Sequence, residues 1–408
     1  MNRDGHVLVI GAGVVGMTTA LALIDRGRRV TLVDAAEGPG LGTSFANGAQ
    51  LSYAYTDALA SPGLIAQMPR LIAALDPAFR LHPSLDPDFL RWGLAFLRNA
   101  TASRFRRNTI AGLELAMESR LALHALIARH QIAFAHTTPG KLHVYRDAKA
   151  LAAAAELAGI KSAMGFAQHA LTPDQAIDVE PALEAIRDEL AGALHTPEEE
   201  VGDPYQFCTG ALTVLKSSGR FAGCFRSHVS RIEARGGNPA ILTDNGGRID
   251  ADAVVLCAGA DAAKLARTAG ARLPIQPMKG YSLTAPPGRA APRVSITDVS
   301  NRVVFARLGD RMRIAGLADL GTRDRTVDPR RFAALLGSAR AALPEAAEYE
   351  NIESRWAGLR PMTPDSLPVI RKIAPGVFAN AGHGALGWTY AAGAAARVVK
   401  FIDQESDG

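Results

Sequence analysis

Cysteine is scarce in this sequence of 408 residues, which contains only Cys208, Cys224 and Cys257. An odd count without CxxC spacing argues against a disulfide framework and against a zinc site. We therefore expect a reducing, cytoplasmic compartment and no bound metal.

Long apolar runs and blocks of one charge are also missing. Residues 7–24 carry no charge, but the glycines and threonines among them argue against a membrane span. The net charge of +5 is spread along the chain, and its densest basic cluster is RFRRN at 104–108. That cluster lacks the interleaved aromatics of a nucleic-acid groove, so no nucleic acid is expected. We interpret it as a solvated helix face, with contact to phosphate or anionic lipid as the alternative.

Internal repeats and low-complexity linkers are absent, and the length suits two domains. Hydrophobic spacing predicts the local structure of several segments. Predicted strands cover 6–10, 29–34, 141–145, 191–196, 224–234, 240–243, 248–257, 350–358 and 377–380. Predicted helices cover 14–26, most of 87–132, 148–158, 172–183, 329–343 and the chain from 387.

The first predicted strand ends in a glycine-rich turn, VLVIGAGVVG at 7–16. In this GxGxxG pattern Gly11 permits a tight turn, Gly13 lets backbone approach a pyrophosphate, and Gly16 lets the helix pack on the strand. A second strand ends in Asp34, which is placed to accept hydrogen bonds from a ribose diol. Strand, turn, helix and acidic residue together predict a dinucleotide-binding fold.

A second glycine-rich turn, NAGHGALGWTYAAGAAARVV at 380–399, precedes a helix of small residues. A second helix N-terminus offers a second anion site, and a reduced flavin carries negative charge near N1 and C2=O. This favours FAD over NAD. The alternative is a glycine-rich turn before a core helix.

The chain resembles the FAD-dependent D-amino-acid dehydrogenases of the D-amino-acid oxidase and glycine oxidase superfamily. The resemblance is carried in order by VLVIGAGVVGMTTALALIDRGRRVTLVD, GTSFANGAQLS, LPIQPMKGYSLT, RMRIAGLADL, WAGLRPMTPDSLPVI and GHGALGWTYAAG. Two stretches depart from the family pattern. Asn47-Gly48-Ala49-Gln50 replaces Asn-Ala-Gly-Gln, and Gly202-Asp203-Pro204 replaces Gly-Asp-Cys. Both departures bear on the substrate range.

The resemblance implies an α/β fold: a Rossmann-like FAD-binding domain interleaved with an α+β substrate domain built on a mixed sheet. The FAD domain would take residues 1–80, 195–268 and 352–408, and the substrate domain 81–194 and 269–351. Relatives with covalent FAD carry a cysteine near the stretch GLRPMTPD, which has none here, so we expect a non-covalent flavin. The expected cofactor-binding residues are Gly11, Gly13, Val14, Val15, Gly16, Asp34, Thr43, Ser44, Asn47, Gly48, Ala49, Gln50, Ala258, Gly259, Gly382, His383, Gly384, Leu386, Gly387 and Trp388.

The reaction that the resemblance implies is oxidation of a C–N bond by hydride transfer to the flavin. Arg360 matches the family's carboxylate-binding arginine, and a planar guanidinium suits that contact. Tyr281 is a second expected contact, with a core tyrosine as the alternative. Tyr53 and Tyr55 would wall the pocket, and His383 would contact substrate or flavin.

The implied substrate is a D-amino acid, with cyclic ones such as D-proline or a hydroxy-D-proline included. The product is an imino acid, or a 2-oxo acid and ammonia. Electrons would pass to a quinone or another non-oxygen acceptor, with peripheral contact at the inner face of the membrane or a partner subunit left open. The alternatives are a glycine or sarcosine oxidase that forms peroxide and a non-catalytic FAD-binding subunit.

Overall fold

The structure is a computed structural model that describes residues 5–72, 76–234 and 238–406. The helices are α1 (Val14–Asp25), α2 (Pro62–Ile72), α3 (Pro87–Asn99), α4 (Ala102–His130), α5 (Ala148–Ser162), α6 (Pro173–Val179), α7 (Pro204–Ser217), α8 (Ala262–Thr268), α9 (Pro329–Ala342) and α10 (Gly387–Ser406). Short 3₁₀ segments are Pro181–Glu189, Gly259–Asp261 and Gly384–Leu386.

The strands are β1 (His6–Ile10), β2 (Arg29–Val33), β3 (Gln50–Leu51), β4 (Phe79–Leu81), β5 (Lys141–Tyr145), β6 (His169–Leu171), β7 (Gly192–Thr196), β8 (Glu200–Val201), β9 (Phe221–Cys224), β10 (Val229–Glu233), β11 (Ala240–Thr243), β12 (Arg248–Asp250), β13 (Ala253–Leu256), β14 (Gln276–Ala285), β15 (Ser295–Asp298), β16 (Val303–Leu308), β17 (Arg311–Leu320), β18 (Ser354–Met362), β19 (Val369–Ala374) and β20 (Val377–Ala381).

Six strands form a largely parallel sheet in the order β19-β20-β13-β1-β2-β9. The central strands β1 and β13 are continuous apolar runs, as expected of parallel strands covered on both faces. Helices α1 and α10 pack on each other beside this sheet, and Asn380 Nδ2 donates to Thr19 Oγ1 (3.0 Å). The two ends of the chain therefore build one layer.

A nine-stranded mixed sheet runs in the order β18-β14-β17-β16-β15-β5-β7-β6, with β4 beside the end of β17. All its pairs are antiparallel except β15 with β5 and β17 with β4. Helix α9 packs on β14, β16 and β17. The predicted α/β class, with a Rossmann-like sheet and a separate mixed sheet, is confirmed.

Several predicted elements are wrong in detail. The single strand expected at 224–234 is two strands, β9 and β10, which belong to different sheets and are separated by Arg226 at a φ of 55°. The expected strand 248–257 likewise divides into β12 and β13. Helix α7 lies between the strands predicted at 191–196 and 224–234, where no helix was predicted, and the helical stretch 87–132 is broken before Thr101, which caps α4.

The predicted three-segment domain division remains a prediction. Strand β7 spans the boundary expected at residue 195 and pairs with β5 in the nine-stranded sheet. Strand β18, expected in the FAD domain, pairs with β14 along its whole length. None of the described helices is long and apolar enough to cross a membrane.

Candidate active site

A cavity of about 1460 Å³ lies between the two large sheets. The turn before α1 lines it with Gly11–Val15, and the turn before α10 lines it with His383–Trp388. Strands β14, β17 and β18 of the nine-stranded sheet form part of the same wall. The two glycine-rich turns expected from the sequence thus face one cavity.

The first turn needs glycine at two positions for different reasons. Gly11 has a φ of 107°, and a Cβ there would lie 2.5 Å from the carbonyl oxygen of Cys257. A Cβ at Gly16 would lie 1.8 Å from the carbonyl oxygen of Gly11, so this glycine lets the helix approach the strand. Gly16 itself does not line the cavity.

Asp34 lines the cavity and holds the first turn in place. Its Oδ2 accepts the Ala12 N–H (2.6 Å) and its Oδ1 accepts the Ala36 N–H (2.7 Å). At the start of α1 the Val14 N–H donates to Ser44 Oγ (3.0 Å). The carboxylate still has lone pairs for a ribose hydroxyl, and that contact remains a prediction.

The loop that departs from the family pattern lines the cavity with residues 47–50. Asn47 Oδ1 accepts the Ala49 N–H (2.8 Å), which closes a turn with Ala49 at a φ of 58°. The family's usual glycine falls at this left-handed position, and here an alanine occupies it. Gln50 Nε2 donates to Ser295 Oγ (2.7 Å), which joins the loop to β15.

The second turn presents buried polar atoms without protein partners in the described part of the chain. His383 is 3% exposed and its Nε2 is unpaired, as is Asn380 Oδ1. Burial lowers the pKa of His383 to about 3, so the imidazole is neutral at physiological pH. Both residues line the cavity. Unpaired polar atoms beside a glycine cradle suit a large polar cofactor such as FAD.

Arg360 stands on β18 and lines the cavity. Its Nη1 donates to the carbonyl oxygen of Leu317 (2.9 Å). Burial lowers its pKa to about 10, with Asp319 opposing the shift, so the guanidinium stays charged at neutral pH. Over the described residues no carboxylate forms a salt bridge with it. This partly buried cation has room for an external anion.

Tyr281 lines the cavity, but its hydroxyl is already engaged. It donates to Asp319 Oδ2 (3.0 Å), and Asp319 is paired with Arg331 at 2.6 Å. Burial, then Asp319, raises the pKa of Tyr281. This geometry agrees with the alternative of a core tyrosine, and a substrate contact by Tyr281 remains a prediction.

Tyr53 does not wall the cavity, contrary to expectation, because its side chain turns away and donates to Glu200 Oε2 (3.2 Å). Tyr55 does line the cavity, and its ring lies 4.1 Å from that of His143. Alternation along an extended chain would place the two tyrosines, two residues apart, on the same side, and the bend of the chain at 53–54 separates them.

All but one of the remaining expected cofactor-binding residues line the cavity, and their contact with the flavin remains a prediction. Gly382 does not line the cavity. Those that do are Thr43, Ser44, Ala258, Gly259, Gly384, Leu386, Gly387 and Trp388. Cys257 also lines it, and burial raises the pKa of its thiol to about 12, so it remains protonated.

Sequence reasoning missed two buried charged residues, Lys141 and Glu199, near one end of the cavity. Lys141 lines the cavity from β5 and its Nζ donates to Ser52 Oγ (2.7 Å). Glu199 accepts the Ala54 N–H (2.6 Å). Burial lowers the pKa of Lys141 and raises that of Glu199. The sequence signal that could have revealed them is Lys141, a charged residue that begins the predicted strand KLHVY.

Comparison with known proteins identifies the family. Residues 6–400 match the family model described as "DAO: FAD dependent oxidoreductase", and the chain belongs to this family. The chain is therefore an FAD-dependent oxidoreductase, and the expected cofactor and enzyme class are confirmed.

Relatives of similar length carry the name that the sequence motifs suggested. "D-amino acid dehydrogenase 2" of Ralstonia nicotianae is 40% identical over 409 residues, covering 97% of this chain and 96% of the relative. "D-amino acid dehydrogenase" of Paramagnetospirillum magneticum is 39% identical, covering 97% and 94%. The family resemblance is confirmed.

Solved structures share the fold at lower identity. Glycine oxidase from Geobacillus kaustophilus has a TM-score of 0.74 at 22% identity, covering 98% of this chain and 95% of its own. L-proline dehydrogenase from P. horikoshii has a TM-score of 0.76 at 19% identity, covering 99% and 95%.

Proposed function

We propose that this oxidoreductase oxidises D-amino acids at the C–N bond and passes the electrons to an acceptor other than oxygen. The observation that carries the proposal is Arg360, a partly buried cation on the cavity wall that lacks a carboxylate partner within the described chain. The names of the relatives support the D configuration.

The protein's own groups account for binding and orientation. Arg360 binds the substrate carboxylate through two parallel N–H donors, which fixes the position of the α-carbon. Its bond to Leu317 restricts the guanidinium before substrate arrives. FAD, when bound, supplies the hydride acceptor. The neutral His383 adds no positive charge that would repel a substrate ammonium.

The substrate class includes cyclic amino acids. Oxidation of a primary amine gives an imino acid that water converts to a 2-oxo acid and ammonia, whereas D-proline gives a pyrroline carboxylate. The left-handed Ala49, where this chain departs from the family pattern, lines the cavity, whereas Pro204 at the start of α7 does not. The departure at Ala49 supports testing both proline enantiomers alongside acyclic D-amino acids.

Substitution of Arg360 by leucine tests the assignment. We expect Arg360→Leu to raise the KM for a D-amino acid by the equivalent of about 2–4 kcal/mol, because a charge-assisted bidentate contact is lost. The KM for an amine without a carboxylate should change little. The exposed Arg371 of β19 provides the control Arg371→Leu. Equal KM values for Arg360→Leu and wild type would remove Arg360 from the site.

The fate of the electrons separates the alternatives. Substrate bleaches the flavin of both an oxidase and a dehydrogenase in the absence of air, but under air the oxidase yields one peroxide per substrate, whereas the dehydrogenase yields little peroxide and reduces a dye. A protein that binds FAD but is never reduced by any amine would instead be a non-catalytic subunit.

For the acceptor, we propose a lipid-soluble quinone that enters between α2 and α3. Ile72 and Leu97 line the cavity and are 64% and 51% exposed. Leu90 and Leu94 of α3 are 53% and 51% exposed beside them. This leucine face, with the exposed arginines of 104–107 at the start of α4, supports peripheral contact with an anionic membrane.

Polar substitutions in the leucine face test the route. The double variant Leu94→Gln/Leu97→Gln should reduce a long-chain quinone more slowly and leave reduction of a water-soluble dye unchanged. Leu121→Gln is the matched control, since Leu121 is 73% exposed on α4 and does not line the cavity. Equal slowing with both acceptors would contradict the route.

A further inference from the structure

Two histidines and a glutamate form a compact group outside the cavity. His124 Nε2 lies 2.7 Å from Glu200 Oε1, and His136 Nε2 lies 2.8 Å from Glu200 Oε2. The donor atoms of the three side chains lie within 4.8 Å of one another. None of the three lines the cavity. The group joins α4, the loop after it and β8.

We propose that His124, His136 and Glu200 bind one divalent transition-metal ion of the zinc type. Two imidazole nitrogens and a carboxylate oxygen are a common ligand set for Zn²⁺, with water in the remaining position. Screening for cysteine spacing could not reveal this site, because its ligands are histidine and glutamate from distant segments. The proposal is independent of the proposed substrate.

The ligands are held in place by the surrounding fold. The ring of His136 stacks on Phe134 at 5.0 Å between centroids. Thr137 and Val201 exchange two backbone hydrogen bonds of 3.0 Å, which fixes the loop against β8. Little ordering is therefore needed when an ion binds. The His124 side chain is 44% exposed, so a hydrated ion reaches the group from solvent.

An outer hydrogen bond orients the carboxylate. The Glu200 side chain is 1% exposed, and its Oε2 accepts from the Tyr53 hydroxyl (3.2 Å). Because a carboxylate oxygen only accepts, the phenol is the donor in this contact. Such outer partners commonly support metal ligands. This contact also gives Tyr53 a role outside the cavity.

Arg120 is the competing cation. Its Nε lies 3.6 Å from Glu200 Oε1, and its Nη1 is 2.7 Å from Glu198 Oε2. The guanidinium balances the buried carboxylate when no ion is bound, and it repels an incoming ion. Removing this charge should therefore strengthen metal binding, whereas it would only weaken a purely hydrogen-bonded cluster.

Calorimetric titration with ZnCl₂ tests the proposal on the FAD-loaded full chain after chelator treatment and dialysis. We expect one equivalent to bind and the Tm to rise, with the rise reversed by chelator. His124→Gln and His136→Gln should each weaken binding by more than the roughly 10–100-fold that loss of an outer partner costs. Arg120→Gln should bind Zn²⁺ more tightly than wild type.

His228→Gln is the control, because His228 is an exposed histidine paired with Asp244 elsewhere. It should bind Zn²⁺ as wild type does. We expect His124→Gln to fold, because the His124 side chain is 44% exposed. Retained flavin absorbance verifies folding. No binding at millimolar Zn²⁺, wild-type affinity in both histidine variants, or weaker affinity in Arg120→Gln would each overturn the proposal.

Discussion

At the scale of single residues, burial decides what the polar side chains of the cavity can do. Arg360 keeps its charge because its pKa falls only to about 10. His383 loses its charge because nothing nearby offsets burial. The cavity wall at Arg360 is thus cationic and suits a carboxylate. The wall at His383 is neutral there and suits an uncharged hydrogen-bond partner.

The neutral His383 predicts a specific dependence of stability on pH. Burial lowers its pKa from 6.5 to about 3 in the folded chain. Below pH 6.5 the unfolded chain binds the extra proton, so the free energy of unfolding falls as the pH falls towards 3. By about pH 5 this loss amounts to ~2 kcal/mol. His383→Asn should abolish that part of the loss.

Denaturant unfolding at about pH 7.5 and about pH 5 measures the effect. The wild type should lose ~2 kcal/mol more between these values than His383→Asn does. His228→Asn, at an exposed site, should behave as wild type. If wild type and His383→Asn lose the same stability, the imidazole is not held neutral in the folded chain.

At the scale of secondary-structure elements, strands β14 and β18 set the position of Arg360. Gly280 of β14 pairs with Gly358 of β18, two residues before Arg360. A Cβ at Gly280 would lie 2.4 Å from Arg360 Nη2. The missing side chain on β14 therefore provides the space in which the guanidinium lies.

Gly280→Ala should displace Arg360 without unfolding the sheet. The atoms that collide belong to the end of a flexible side chain, so we expect little change in Tm. The KM for a D-amino acid should rise about tenfold or more, equivalent to ~1.4 kcal/mol. Gly337→Ala in α9 is the control, because a Cβ there meets no atom within 4 Å. A normal KM in Gly280→Ala would show that the guanidinium position does not matter.

The elements also show how far the sequence alone could lead. Residues 6–34 were predicted almost to the residue, because a strand, a glycine turn and a helix are encoded locally. Helix α7 was missed, although Asp203 caps it and Pro204 begins it. The prediction ended strand β18 too early, at residue 358, because the strand contains Pro361. A proline is tolerated there because β18 lies at the edge of the nine-stranded sheet.

The same reasoning applies to the site. Arg360 and the two glycine turns were predicted because each lies in one short motif. The contacts of Lys141 and the cluster of His124, His136 and Glu200 could not be predicted from the sequence, because their partners come from segments that only folding brings together. Tyr53 was misplaced for the same reason: local position does not determine which side of a loop faces the cavity.

At the scale of the whole molecule, the cavity separates the two large sheets, and it is lined by the turn before α1 and by the turn before α10. A ligand that fills this space contacts both sheets and binds the folded state only. FAD should therefore stabilise the whole molecule by RT ln(1 + [FAD]/Kd), or ~2.7 kcal/mol at a free concentration one hundred times the Kd.

This stabilisation should depend on FAD concentration, because we expect the flavin to be dissociable. Of the three cysteines, Cys257 alone lines the described cavity, and its raised pKa leaves no thiolate to attack a flavin. The Tm should rise with added FAD and level off only well above the Kd. Acid precipitation should leave the yellow colour in the supernatant. A yellow pellet and a Tm independent of added FAD would instead mean that the flavin is covalently linked to the protein. Such a link would have to involve a side chain other than the protonated thiol of Cys257.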